Sequence, residues 1–397
     1  MTKLSISERI INMKVSATLG MAQAAQKLKD AGVEVKVLSA GEPNFNTPSV
    51  ISAVAKQSID AGKVHYTPVR GTKNIISAMQ EKFKRDQGVD YDEDQLMCTV
   101  GAKSAIMMAL DAVANEGDEV IVFAPYWVSY FEQVKLARAV PVVVNCQAQN
   151  NFMPSAQELK AAITSKTKAI ILNSPNNPSG GVISLEQLTQ LADVLKDSSI
   201  WLISDEIYEK LLFDGHKHYS PAAINNDMYK RTILISGASK GYAMTGWRVG
   251  FVGACKEIIS AMNKLQGQQT TCLPEFIQDA AAYALREDEH VRNAIKSMND
   301  AYLERRDVCL ERFKTMPQIK VFKPQGAFYI WADYSQVIKQ KKLKDDIELG
   351  VKLLEEAHVA MVPGTPFGGP GSLRMSIASS MNDINQAIDH IEKWINS

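Results

Sequence analysis

Cysteine is scarce in this chain: there are five in 397 residues. Cys98, Cys146, Cys255, Cys272 and Cys309 are scattered, with no C-x-x-C pair among them. That argues against a disulfide framework and against a zinc site built on paired thiols. Unpaired thiols fit a reducing compartment, so the expected location is cytoplasmic. An excess of either charge is also missing, since Lys+Arg and Asp+Glu are both 44. No global field draws in nucleic acid or anionic lipid, and any anion must be held by a local site. No apolar run approaches the length that spans a bilayer. The segment Met1 to Lys14 has no apolar core of the kind a signal peptide carries. Neither nucleic acid nor a membrane is an expected partner.

What is present is ordinary for a globular protein: 46% hydrophobic and 22% charged residues. The length implies about two domains. Short apolar segments alternate with helical patterns through the middle of the chain. Strands are expected at Leu96–Val100, Glu119–Ala124, Val140–Asn145, Lys168–Asn173, Ile200–Ser204, Thr232–Ser236 and Val249–Gly253. This alternation predicts an α/β fold, with a large domain built on a mostly parallel open sheet flanked by helices. In such sheets ligands bind at the carboxyl ends of the strands. After about residue 285 the pattern changes to one long charged helix, Glu287 to Thr315, then a shorter strand–helix set ending in Asn382–Asn396. Residues 50–285 are read as the large domain. Residues 1–49 and 286–397 are read as a smaller α+β domain built from both termini.

The chemistry concentrates where expected strands end. Ser236-Gly237-Ala238-Ser239-Lys240-Gly241-Tyr242-Ala243-Met244-Thr245-Gly246-Trp247-Arg248 begins at the end of one strand. Small residues around Lys240 keep its stem from open solvent. An amine removed from water has a lowered pKa and becomes a usable nucleophile toward an aldehyde. Arg248 follows, with Gly246 giving the chain room to bend, and a guanidinium beside such a lysine suits a phosphorylated aldehyde. Asp205 lies just past another strand, in Ser204-Asp205-Glu206-Ile207-Tyr208, and Asn173-Ser174-Pro175-Asn176-Asn177-Pro178-Ser179-Gly180 follows a third. Val100-Gly101-Ala102-Lys103 joins a strand to a helix start, where backbone N–H groups suit a phosphate. Each feature alone has a plainer reading: a solvated lysine, a helix N-cap for Asp205, an ordinary turn, core aromatics for Trp127 and Tyr208, an ion-paired Arg374. Their ordered co-occurrence is what carries weight.

Together these segments resemble the class I aminotransferases of the pyridoxal-phosphate fold-type I group, in particular the bacterial and plant-type branch of aspartate aminotransferases. The resemblance runs from Leu38-Ser39-Ala40-Gly41-Glu42-Pro43 to Leu373-Arg374-Met375-Ser376. It implies pyridoxal 5'-phosphate as cofactor, carried covalently by Lys240, which also moves the proton between substrate and cofactor. It implies that Asp205 pairs with the pyridine nitrogen, that Tyr208 and Asn177 bond the ring hydroxyl oxygen, and that Trp127 stacks on the ring. Arg248, Ser239 and the backbone of Gly101, Ala102 and Lys103 are implied to hold the phosphate. Tyr66 resembles the tyrosine that reaches this phosphate from the other subunit, implying a homodimer with shared active sites. Arg374 is implied to clamp the substrate α-carboxylate, with the Gly41 backbone close by. Lys103 and Thr18 resemble the groups that receive a dicarboxylic side chain. Two departures stand out: Ser179 where many relatives have threonine, and Ser104 where relatives often have glutamine.

The reaction so implied is a ping-pong transfer of the amino group of aspartate, or a similar dicarboxylic amino acid, to 2-oxoglutarate. Prephenate or aromatic substrates stay open at this point, as does a β-lyase on the same scaffold. A non-catalytic regulator is a further alternative, but it has no chemical need for Lys240, Asp205, Tyr208 and Arg374 together.

Overall fold

The computed structural model describes residues 5–397. Its centre is a seven-stranded sheet. In chain order the strands are β1 (Leu96–Val100), β2 (Glu119–Ala124), β3 (Val140–Asn145), β4 (Thr167–Asn173), β5 (Trp201–Asp205), β6 (Thr232–Gly237) and β7 (Val249–Gly253). Their spatial order is β1-β7-β6-β5-β4-β2-β3. β2 to β6 are mutually parallel where they pair, and β7 runs antiparallel to both its neighbours. The inner strands are apolar on both faces because helices cover both faces. Ile121 and Ile170 point into one cluster with the helix Leu185–Leu195, whereas Val122 and Ile171 point into another with the helix Ala102–Val113.

Each expected strand is present, with ends shifted by at most one residue. The long C-terminal helix is shorter than the sequence pattern implies and runs from Glu289 to Phe313. Asp288 caps it, accepting from Val291 N at 2.9 Å. Glu287 stands outside it, in the left-handed region at φ 51°. The reason is electrostatic: the Glu287 carboxylate is buried against Lys210 Nζ (2.7 Å), Tyr242 Oη (2.6 Å) and Arg85 Nη2 (3.1 Å). Holding that carboxylate among its partners outweighs one more helical residue, whereas removing a buried charge from its partners costs several kcal/mol, about 3–5.

A second, four-stranded sheet lies late in the chain: β8 (Lys320–Phe322), β9 (Tyr329–Asp333), β10 (Val362–Pro363) and β11 (Ser372–Ser376), in the order β10-β11-β9-β8. The N-terminal segment joins this region. Lys36–Val37 pairs in parallel with Val359–Ala360, and Ser376 N donates to Leu38 O at 2.7 Å. Among the described residues no helix is long and apolar enough to cross a membrane.

Candidate active site

The edge of the large sheet collects the expected residues. β4 and β5 end side by side, with Asn173 opposite Asp205. β6 ends at Gly237 and turns into a one-turn helix, Ala238–Gly241, that carries Ser239 and Lys240. β1 and β2 end at Val100 and Ala124, just before Gly101–Lys103 and Trp127. β7 runs the other way, so Arg248 reaches the same edge from before its strand begins.

Asp205 is buried at 3% exposure. One carboxylate oxygen accepts from the Tyr130 hydroxyl and the other from Ile207 N at 3.2 Å. Burial raises its pKa to about 6, and the two donors oppose that shift. Lys240 is partly buried, and its Nζ donates to the Gly41 carbonyl. Burial is the main cause that lowers this amine to about 8, helped by the Arg374 and Arg248 guanidiniums and opposed by Glu42 and Asp205. Such an amine is neutral, and therefore nucleophilic, over more of the physiological range than an ordinary lysine.

Arg374 is fully buried on β11. Nη1 donates to Asn177 Oδ1 at 3.0 Å and Nη2 to the Ser39 carbonyl at 2.8 Å, while Nε is buried with no partner. A buried guanidinium with an unspent donor and no carboxylate beside it is suited to a carboxylate ligand. Asn177 is itself held by its backbone N–H, which donates to Asn173 Oδ1 at 2.9 Å.

Arg248 and Gly101 form a cradle. A Cβ at Gly101 would come within 2.5 Å of Arg248 Nη2, and Gly101 has φ +81°, so only glycine lets the guanidinium lie against the start of the helix Ala102–Val113. The free N–H groups of that start and the cation favour an anion together. The Lys103 ammonium sits 4.7 Å from the Trp127 ring centre. Although Lys103 is exposed overall, burial of the amine, and after it the nearby Arg248, hold its pKa below the usual lysine range. A cavity of about 710 Å³ opens beside Lys103 and Arg248 and is bounded by Val15–Ala17 of the N-terminal segment. Amine, carboxylate, cradle and buried guanidinium thus fit a phosphorylated pyridine aldehyde with an amino acid beside it.

The comparisons decide the family. The sequence pattern described as "Aminotransferase class I and II" matches residues 33–391. This chain belongs to the class I and II aminotransferases. It is similar to the aspartate aminotransferase of Bacillus sp. (strain YM-2), 40% identical over 98% of this chain and 99% of that one. It is also similar to the aspartate/prephenate aminotransferase of Thermus thermophilus, 38% identical over 98% of each chain. Among solved structures, the Thermus thermophilus aspartate aminotransferase with maleate superposes with a TM-score of 0.94 at 37% identity, covering 98% of this chain and 100% of that one. The expected α/β architecture of this aminotransferase is that of its relatives.

Not every expected site residue comes together within one chain of this aminotransferase. Tyr66 stands 88% exposed. Thr18 follows Ala17 at the start of the helix Ala17–Asp30, and only the segment before it lines the cavity. Two buried phenols were missed: Tyr130, which bonds Asp205, and Tyr329, whose hydroxyl is 2.8 Å from that of Tyr208. Tyr130 has a faint signal, three residues after Trp127 at the start of a helix. Tyr329 has none in its own neighbourhood. Behind Asp205, Glu206, Glu209 and His218 bring ligand atoms within 4.8 Å of one another. Lys82 Nζ, 2.5 Å from Glu209, already supplies the cation there.

Proposed function

We propose that this aminotransferase binds pyridoxal 5'-phosphate at the sheet edge and transfers the amino group of aspartate, or a similar dicarboxylic amino acid, to 2-oxoglutarate in two half-reactions. The observation that carries the reading is that the Asp205 carboxylate and the Arg374 guanidinium, far apart in sequence, both bear electrostatically on the one buried Lys240 amine. The cofactor, when bound, supplies an aldehyde and a ring that accepts electrons from the substrate Cα. Lys240 would hold it through Nζ and, once the substrate amine has replaced Nζ at the aldehyde carbon, the freed Nζ would take the Cα proton. Asp205 accepts from the pyridine N–H, which its ionised form requires. Tyr208 and Asn177 would bond the ring oxygen, Trp127 would stack on the ring, and Arg248, Ser239 and the Gly101–Lys103 backbone would hold the phosphate. Arg374 orients the α-carboxylate, with the Gly41 backbone beside it. Transfer is favoured over a β-lyase because Lys103, 4.7 Å from the Trp127 ring centre, adds a second cation that a distal carboxylate would need.

The test is direct. The yellow holoenzyme is mixed with single amino acids and its visible band followed. Aspartate and glutamate are expected to bleach it; bleaching by alanine or aromatic amino acids alone overturns the assignment. Lys103→Ala is expected to lower kcat/KM for aspartate about tenfold or more, as one charge-assisted contact of about 1.5–3 kcal/mol is lost, while a neutral amino acid changes little. A uniform loss shows that Lys103 does not read the side chain. Thr18 is assigned to the same end of the substrate, its support being the adjoining segment Val15–Ala17 on the cavity wall.

The chain is also read as two units, 50–285 and 1–49 with 286–397, of which residues 1–4 lie outside the described residues. The pairing of Lys36–Val37 with Val359–Ala360 supports joining both termini in one unit. We further assign a homodimer in which Tyr66 completes the partner's phosphate site. The 88% exposure of Tyr66 beside Val64, itself 59% exposed, supports this. Mixing Tyr66→Ala with Lys240→Ala subunits is then expected to restore activity, since one site of each mixed dimer has both native residues. A mixture no more active than the average of its parts overturns the shared site.

A further inference from the structure

Tyr329 opens strand β9 and is fully buried. Its hydroxyl lies 2.8 Å from the Tyr208 hydroxyl, and its ring centre is 4.3 Å from the Arg374 guanidinium carbon. The register explains the second contact. Trp331 pairs with Arg374 and Tyr329 with Ser376, so Tyr329 and Arg374 are diagonal neighbours on one face of the sheet. A Cβ at Gly41 would stand 3.1 Å from the Tyr329 oxygen, so the hydroxyl is wedged between that backbone and Tyr208.

Among the described residues, Tyr208 is the one hydrogen-bond partner of the Tyr329 hydroxyl, and either oxygen of the pair can donate. Each phenol has a single proton. If Tyr208 gives its proton to Tyr329, it has none for a ligand. If Tyr208 gives its proton to a ligand oxygen, Tyr329 must donate to Tyr208, because no other acceptor is at hand and a buried O–H left unpaired is costly. Arg374 bears on both phenols but stands over the ring of Tyr329, 4.3 Å from its centre, and that position favours Tyr329 as the donor. Two hydrogen bonds in series then polarise one another.

We propose that Tyr329 is a positioning residue: it donates to Tyr208, aims the single Tyr208 proton at the ring oxygen of the cofactor, and ties that proton to the charge on Arg374. This rests on the cofactor reading above. A donor to the ring oxygen stabilises the deprotonated, anionic form of the bound cofactor. A weaker donor therefore raises the pH at which the visible band titrates.

The experiment is a pH titration of the visible absorption of the holoenzyme, for the native protein, Tyr329→Phe, Tyr208→Phe and the double variant. Tyr329→Phe is expected to keep the band and raise its midpoint by roughly half to one pH unit, the loss of one modest hydrogen bond. Tyr208→Phe is expected to raise it further, and the double variant no further than Tyr208→Phe, because Tyr329 acts only through Tyr208. Tyr329→Leu, which also removes the ring beneath Arg374, is expected to raise KM for the amino acid, whereas Tyr329→Phe leaves KM within about twofold. An unchanged midpoint in Tyr329→Phe, or additive shifts in the double variant, overturns the proposal while leaving the cofactor assignment standing. A native protein that shows no visible band with pyridoxal phosphate overturns both.

Discussion

Lys240→Ala is expected to leave a folded protein with no covalent cofactor and turnover lowered by about ten-thousand-fold or more. The magnitude follows from what a positioned base contributes, ~10²–10⁴-fold, with the loss of the covalent link added to it. The geometry makes the position irreplaceable. The amine is delivered from a one-turn helix at the end of β6 and donates to the Gly41 carbonyl, within electrostatic reach of Asp205 and Arg374. A borohydride-reduced digest should carry the cofactor on the peptide containing residue 240 in the native protein and on no peptide in the variant. A reducible adduct that persists in Lys240→Ala refutes the assignment. The same amine has a pH signature. Its pKa is lowered to about 8, so in the cofactor-free protein it is neutral above that pH and charged below it. Its reaction with an amine-selective acylating reagent is expected to rise through pH 8 and level off, well below the midpoint of an exposed lysine.

Arg374→Ala has the next largest expected effect, and it falls on a different ligand. The guanidinium is fixed by Asn177 and the Ser39 carbonyl, and on the proposed assignment its remaining N–H groups would give two charge-assisted hydrogen bonds to the substrate carboxylate. At about 1.5–3 kcal/mol each in a buried site, their loss lowers kcat/KM for the amino acid by roughly 10²–10⁴-fold. Cofactor affinity should change far less, since the phosphate cradle at Gly101 and Arg248 is built from other parts of the chain. Equal losses of cofactor and substrate binding would contradict the division of labour. Arg374→Lys is expected to recover little, because an ammonium cannot match a carboxylate with two parallel bonds and would lose the planar contact with Tyr329.

The sheet was legible because its strands are short runs of β-branched residues separated by helices of ordinary length, and that local signal survives without tertiary context. Lys240, Asp205 and Asn177 were legible for the same reason: each lies at the end of a strand or within a few residues past it. Glu287 was misjudged because helical periodicity says nothing of the three buried partners that hold its carboxylate. Tyr329 was invisible because its meaning depends on the register of β9 against β11 and on a tyrosine 121 positions away. Tyr130 lies near Trp127 in sequence, yet nothing local tells that its hydroxyl meets a carboxylate 75 residues on. Tyr66 and Thr18 were named by resemblance alone, and a single chain does not bring Tyr66 out of solvent.

The segment Lys36–Val37 lies in parallel with Val359–Ala360, and the Ser39 carbonyl holds an arginine 335 positions away. Residues 36–39 therefore reach their final partners only after residues 359–374 have been made. A nascent polypeptide that has reached Gly253 already contains Lys240, Asp205 and the Gly101–Arg248 cradle, but neither Val359–Ala360, which pairs with Lys36–Val37, nor Arg374. On the proposed assignment, the residues for the cofactor are synthesised before the arginine for the amino acid, so discrimination among substrates comes later than the cofactor site.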